Sequence, residues 1–464
     1  MQIKKAACVI AAIMLIFALS AAFPLSLSAD DTEITYAEAL QALRDDMADP
    51  TTINTVKEAY LYCLSTDTEL LDFDTSPEIC EPPADTAKLL TALTACDMIE
   101  DFSDTVTITQ KMINDSPGTR FDYRRGDIVP YSDLLCTMLM RTANDSATAL
   151  AYSLCGNMES FAAKMNEKAT SLGLTNSFFT NSTGAYDERS YTTAKDIFLV
   201  AKAFYEEKTE IFEGETLMDL VSKRLHSLSW TMPDKTRVVF NVNFLVSEYY
   251  NSGKDIRDAS VNGMIVGRTA EGGDVIVRSA NYNGYEYICV ILGAQRDAHF
   301  TYSYTVSGEL IKWGSNNYSF VKILDKNRPI SSVPVKNARE NDSVPVVPTE
   351  DLSKYILSNS QKMGKLTTSV ILSETSLKAP VAKGTHVGTV EVYYNEEKIY
   401  ECPLVTACEI SENTTSSMIQ TVWEAISSRK AITTYMVTVS VVAVYVLINS
   451  IIRYHKKNKI EKDA

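Results

Sequence analysis

The chain has 464 residues, 45% of them hydrophobic and 22% charged, with a formal net charge of −15. That is length enough for two or three domains with a sizeable core, at the composition of an ordinary globular protein. Lys4 and Lys5 supply +2 and residues 453–464 supply +3, so the middle of the chain carries −20, which argues against nucleic acid and against docking flat on anionic lipid.

The first segment, residues 1–29, opens with Lys4 and Lys5, continues as an uncharged apolar run and ends in Leu27-Ser28-Ala29. That order predicts a secretory signal peptide cleaved near Ala29. Residues 33 to about 60 alternate in a helical way and predict a leader helix. The runs "VKEAYLYCL" (56–64) and "YEYICVILGA" (285–294) are rich in aromatic and β-branched residues and predict buried strands. Apolar residues at helical spacing fill residues 130–156. A further helix is expected over 157–174, stopping at Gly173. Glu271-Gly272-Gly273 has the composition of a hairpin turn.

From 318 to 410 the helical runs vanish. Short alternating segments take over ("SVPVV", "LTTSVILS", "GTVEVYY"), with a hairpin turn at Asn395-Glu396-Glu397, and predict a small all-β domain. Residues 411–430 form a polar linker with Trp423 placed near a membrane interface. Residues 431–452 contain no charge, and at 1.5 Å per residue they reach about 33 Å, enough to cross a bilayer. The basic tail 453–464 follows. The positive-inside rule puts that tail in the cytoplasm and the long middle outside, in a single-pass arrangement at the cell membrane.

Eight cysteines lie beyond residue 29, none in a C-x-x-C pair, and the chain has only four His. A His/Cys zinc site therefore has no support, no metal or cofactor is implied, and the spacing leaves any disulfide pairing open.

The segment Pro83-Ala84-Asp85-Thr86-Ala87-Lys88 starts a helix. Taken alone, Asp85 has a structural explanation, because a carboxylate before a helix accepts orphan backbone N–H groups at the positive end of the dipole. Asp85 and Lys88 are three residues apart and share one helix face.

Several blocks, in this order along about residues 55–410, resemble the D-alanyl-D-alanine carboxypeptidases, the low-molecular-mass penicillin-binding proteins. "PADTAK" stands where that family has P-A-S-x-x-K. Thr142-Ala143-Asn144 stands at its S-x-N motif, and Asn241 to Val246 resembles its N-T-N-x-L-L segment. "VNGMIVGRTAEGG" resembles its third motif region, with Ile265-Val266-Gly267 in place of K-T-G, and "LKAPVAKGTHVGTVEVYYNEEKIYECPLV" resembles its C-terminal β domain. The resemblance implies an α+β, β-lactamase/transpeptidase-like domain over residues 33–312, an antiparallel sheet flanked by helices. The β-rich domain at 318–410, the linker and the transmembrane helix would follow it.

The family chemistry implied by the resemblance needs a hydroxyl nucleophile, a nearby base, an oxyanion hole and a cation for the substrate carboxylate. Asp85 replaces the nucleophile, and its charge favours the ammonium form of Lys88, which makes Lys88 a worse base. Ile265 and Val266 remove the cation and the hydroxyl of the third motif. Arg268 is cationic but is expected on the strand face opposite Ile265. Thr142 keeps a hydroxyl and Asn144 an amide. The expected function is a catalytically inactive, membrane-anchored relative that presents a groove to peptidoglycan stem peptide or to another envelope protein. The alternatives are an active carboxypeptidase with a rebuilt site, Asp85 acting as general base on water, and a structural module whose groove is filled by Ile265.

Overall fold

A computed structural model describes residues 52–74, 80–232, 235–247, 258–296, 301–339, 341–357, 366–394 and 396–462. The expected signal peptide and most of the expected leader helix lie outside these residues. The remainder of the leader helix is corrected: residues Thr52–Thr55 form a single 3-10 turn, and a strand begins at Glu58. The run Glu58–Cys63 is almost wholly buried, and its β-branched and aromatic partners on Tyr285–Ala294 hold it extended.

The described residues fall into two compact units, up to Tyr318 and from Ser319 onward. The first is built on a five-stranded antiparallel sheet with the strand order Thr68–Asp74, Glu58–Cys63, Tyr285–Ala294, Gly273–Tyr282, Val261–Thr269. The central strands are buried along nearly their whole length, as expected of a sheet covered by helices. The hairpin foreseen at residues 271–273 joins the last two strands, so Val261–Thr269, which carries Ile265-Val266-Gly267, forms the sheet's edge.

Helix Ala87–Cys96 runs through the middle of this unit, with every residue from Ala87 to Ala95 buried. A helix buried on all sides belongs inside a core, and its threonine hydroxyls are satisfied there: the Thr94 hydroxyl donates to the Leu90 carbonyl at 2.7 Å and the Thr91 hydroxyl to the Ser182 carbonyl at 2.8 Å. The helical stretch expected over 130–156 is two helices, Tyr131–Arg141 and Asn144–Cys155, because Thr142 takes a left-handed φ of 52° and ends the first. The helix expected over 157–174 spans Met158–Ser171, capped by the Asn157 side chain.

The second unit contains a six-stranded sheet ordered Leu366–Leu372, His386–Tyr394, Glu397–Thr406, Ser343–Pro348, Ser331–Lys336, Leu377–Lys378. It closes on its own core of Val333, Val335, Val344, Val346, Val390, Val392 and Leu404. Two helices follow, Thr414–Ser427 and Arg429–Lys462. The stretch Arg429–Arg453 is long and apolar enough to cross a membrane.

Candidate functional site

The segment ahead of the central helix is pinned from several sides. Glu81 pairs as an isolated β-bridge with Thr192. Pro83, Ala84 and Asp85 then bend into a 3-10 turn over Ala84–Thr86, with Ala84 at a left-handed φ of 45°. A non-glycine residue there is uncommon, and this one is held by the loop opposite. Gly184, itself at φ +74°, lies so close that an added Cβ would come within 1.8 Å of the Ala84 carbonyl oxygen. Gly184→Ala is therefore expected to destabilise the first unit by about 2–4 kcal/mol, since neither its backbone angle nor the space tolerates a methyl group. A denaturation midpoint within experimental error of the parent's would show that the loop yields freely.

This bend delivers Asp85 to its partners. The Lys88 ammonium, fully buried, donates to Asp85 Oδ1 at 2.5 Å and to the Thr183 carbonyl at 2.5 Å. The backbone N–H of Arg268, on the edge strand, donates to Asp85 Oδ2 at 3.0 Å. Both carboxylate oxygens are thus engaged, one by a cation and one by a main-chain donor. The capping role expected for Asp85 is corrected: no side chain caps the start of helix Ala87–Cys96. The carboxylate faces across to the sheet instead, because the strained Ala84 turn aims it away from its own helix's amides.

Gly267 completes this contact. A Cβ at that position would lie 2.0 Å from Asp85 Oδ2, so the bare backbone is what lets the carboxylate reach the neighbouring amide. Ile265 is only 1% exposed and belongs to the hydrophobic core of the unit, so the groove-filling role considered for it is corrected to core packing. Val266 is half-buried. The Arg268 side chain is 55% exposed and turns to Asp274, Nε to Oδ1 at 3.7 Å. Only its amide meets Asp85, as strand alternation requires.

Thr142 and Asn144 lie at the junction of the two helices. Asn144 Nδ2 donates to the Pro117 carbonyl, and its backbone N–H donates to the Thr119 carbonyl at 2.8 Å. Its Oδ1 is buried without a partner among the described residues. Asn144 thus bridges backbone groups near a helix end. The structure brings Asp85, Lys88 and Gly267 together, whereas the bonds of Asn144 run to the 117–119 segment.

Sequence reasoning missed four contributors: the Thr183 carbonyl, the Arg268 amide, Gly184 and Asp145. Asp145 accepts the backbone N–H groups of Phe121, Asp122 and Tyr123 at 2.9, 2.9 and 3.3 Å, tying that loop to the start of helix Asn144–Cys155. Its place beside Asn144 at a helix N-terminus was the available signal. The Ser-x-x-Lys spacing does occur twice, at Ser319–Lys322 and Ser427–Lys430. The first lies on a strand with Lys322 paired to Asp325 at 2.8 Å, and the second lies where two helices meet ahead of the apolar span. Neither reproduces two side chains on one helical face.

Comparison with known proteins bears on the family and the fold. Residues 73–296 match the family described as D-alanyl-D-alanine carboxypeptidase, and residues 318–412 match the penicillin-binding protein 5 C-terminal domain. The chain is 26% identical over 287 residues to D-alanyl-D-alanine carboxypeptidase DacC of Escherichia coli (strain K12), a match spanning 62% of this chain and 65% of that protein. It is 24% identical to DacF of Bacillus subtilis (strain 168) across 80% of this chain and 90% of the relative. Among solved structures, the carboxypeptidase DacD from Francisella tularensis superposes with a TM-score of 0.53 at 19% identity, covering 77% of this chain and 94% of that one. Penicillin binding protein 5 from Haemophilus influenzae gives 0.51 at 22% identity, covering 77% and 98%.

Proposed function

Because this chain belongs to the D-alanyl-D-alanine carboxypeptidase family, we propose that it is a membrane-anchored, non-catalytic relative acting at the cell wall, through binding rather than peptide hydrolysis. The observation that carries this reading is the ion pair at the start of the central helix: Lys88, fully buried, gives its ammonium to Asp85 at 2.5 Å. Acyl transfer through this helix needs a hydroxyl nucleophile and an amine free to take its proton. A carboxylate would give a mixed anhydride, a poor intermediate for amide cleavage, and it occupies the Lys88 side chain in a direct ion pair. The third motif adds neither cation nor hydroxyl, because Ile265 and Val266 stand there.

The remaining parts of the proposal follow from the sequence. The helix Arg429–Arg453 anchors the chain, the basic tail stays in the cytoplasm, and the chain ahead of that helix lies outside the membrane after removal of residues 1–29. The partner is peptidoglycan stem peptide or another envelope protein. The −20 balance of the middle of the chain, derived from its residue counts, favours neutral or cationic surfaces.

Fluorescent penicillin incubated with the full chain in detergent, followed by intact mass, tests the proposal. No covalent adduct is expected. A mass increment of one β-lactam overturns it, and so does release of D-alanine from a pentapeptide that stops in Asp85→Asn.

A further inference from the structure

We propose that the space between the Lys88 ammonium and the Arg268 amide is a carboxylate-binding site, and that its resident ligand is the chain's own Asp85. The two donors come from different elements, a helix and the edge strand of the sheet, and each takes a different oxygen of one carboxylate, at 2.5 and 3.0 Å. Gly267 clears the approach, since any Cβ there would overlap the Asp85 carboxylate. This is how a protein recognises a carboxylate ligand: a cation on one oxygen, a main-chain N–H on the other, and backbone close enough to exclude water between them.

The donors are fixed without Asp85. Lys88 is held in place by the Thr183 carbonyl and the packing of a helix buried on every side. The Arg268 amide is fixed by strand pairing, with Arg268 opposite Asp274 in the ladder. The Asp85 side chain is 15% exposed, so the position it fills opens to solvent. Truncating it leaves a preformed pocket with a buried ammonium and a main-chain N–H converging on it. A one- or two-carbon monocarboxylate matches the group removed.

In the intact chain the site is self-liganded. An external carboxylate, including the C-terminus of a peptide, finds this donor pair already taken by Asp85. The inference concerns the ligation of Asp85 and stands independently of whether the chain hydrolyses peptides.

The test uses the full chain in detergent with Asp85→Ala, titrated with sodium formate and sodium acetate against sodium chloride at equal ionic strength. A saturable rise in the Tm of Asp85→Ala in formate or acetate is expected, with no rise in chloride and none in the parent. Asp85→Ala/Lys88→Met should lose the response. If the alanine variant does not fold, Asp85→Ser, which keeps an oxygen beside Lys88, supplies the same readout. Equal behaviour in formate and chloride, or an unchanged response without Lys88, overturns the inference. A penicillin adduct on the parent overturns the non-catalytic reading and leaves this one standing, so the two failures are distinguishable.

Discussion

Asp85→Ala, measured by denaturant unfolding in chloride buffer, is expected to lose about 3–5 kcal/mol of stability from the first unit. Coulomb attraction across the pair is not the main reason. Lys88 is fully buried, and without the carboxylate its ammonium keeps the Thr183 carbonyl as its recorded partner. Leaving a buried charge uncompensated costs more than the intact pair contributes, so most of the loss is the desolvation of Lys88. The sign of a second variant follows from the same argument. Asp85→Ala/Lys88→Met removes both charges and places an apolar chain of similar length in an apolar helix environment. It should recover most of the loss, so the two substitutions are far from additive. An unfolding free energy for Asp85→Ala within about 0.5 kcal/mol of the parent's, in the range of an ordinary surface change, would mean that the pair is dispensable. The same result would remove the physical basis for a fixed donor set at this position.

Glu58→Gln should change how stability depends on pH. Glu58 is 2% exposed on the strand that pairs with Tyr285–Ala294. Its Oε2 accepts the N–H of Ala194 at 2.6 Å, at the start of helix Ala194–Glu206, and its Oε1 is buried without a partner among the described residues. Burial pushes its carboxyl up from 4.5 to about 8; the Ala194 amide works against that, and Asp74, Glu81 and Asp72 add to it. Between these two values the folded chain holds a proton that the unfolded chain has released. Stability therefore falls as pH rises from about 4.5 to about 8, and levels off above. A shift of that size corresponds to about 2–5 kcal/mol across the window. Glutamine keeps the acceptor for Ala194 and never ionises. The variant should match the parent near the acid end and exceed it by about 2–4 kcal/mol above the folded-state pKa. Urea midpoints at four pH values across the window decide the matter, and parallel curves for the two proteins would sink the assignment.

Those two side chains also mark how far the sequence could be taken. The strands Glu58–Cys63 and Tyr285–Ala294 were legible because packing on both faces demands unbroken β-branched and aromatic runs. The hairpin at 271–273 was legible because a tight reversal demands glycine. The pairing of Asp85 with Lys88 was legible because three residues on a helix lie on one face. The other partners were not. A carbonyl at Thr183 and an amide at Arg268 are main-chain groups that every residue carries, so no letter in the sequence marks them. The leader helix, expected to about residue 60, overlaps the strand expected over 56–64, and the pairing with residues 285–294 gives the shared residues to the strand. Asp85 suited a cap by local rules, and a left-handed Ala84, held by Gly184, redirected it.

The sheet's strand order has a consequence for how the chain is made. Glu58–Cys63 lies between Thr68–Asp74 and Tyr285–Ala294, so one of the first strands to be synthesised has its second neighbour near the far end of the unit. Closing that loop must precede any reward from the pairing, which makes folding slow relative to a chain with local contacts. Until residue 294 is free, the edge of Glu58–Cys63 stays open with its apolar side chains uncovered. The first unit therefore matures late, after the polypeptide up to that strand has been released, and the interval is when a folding helper has an unpaired strand to hold.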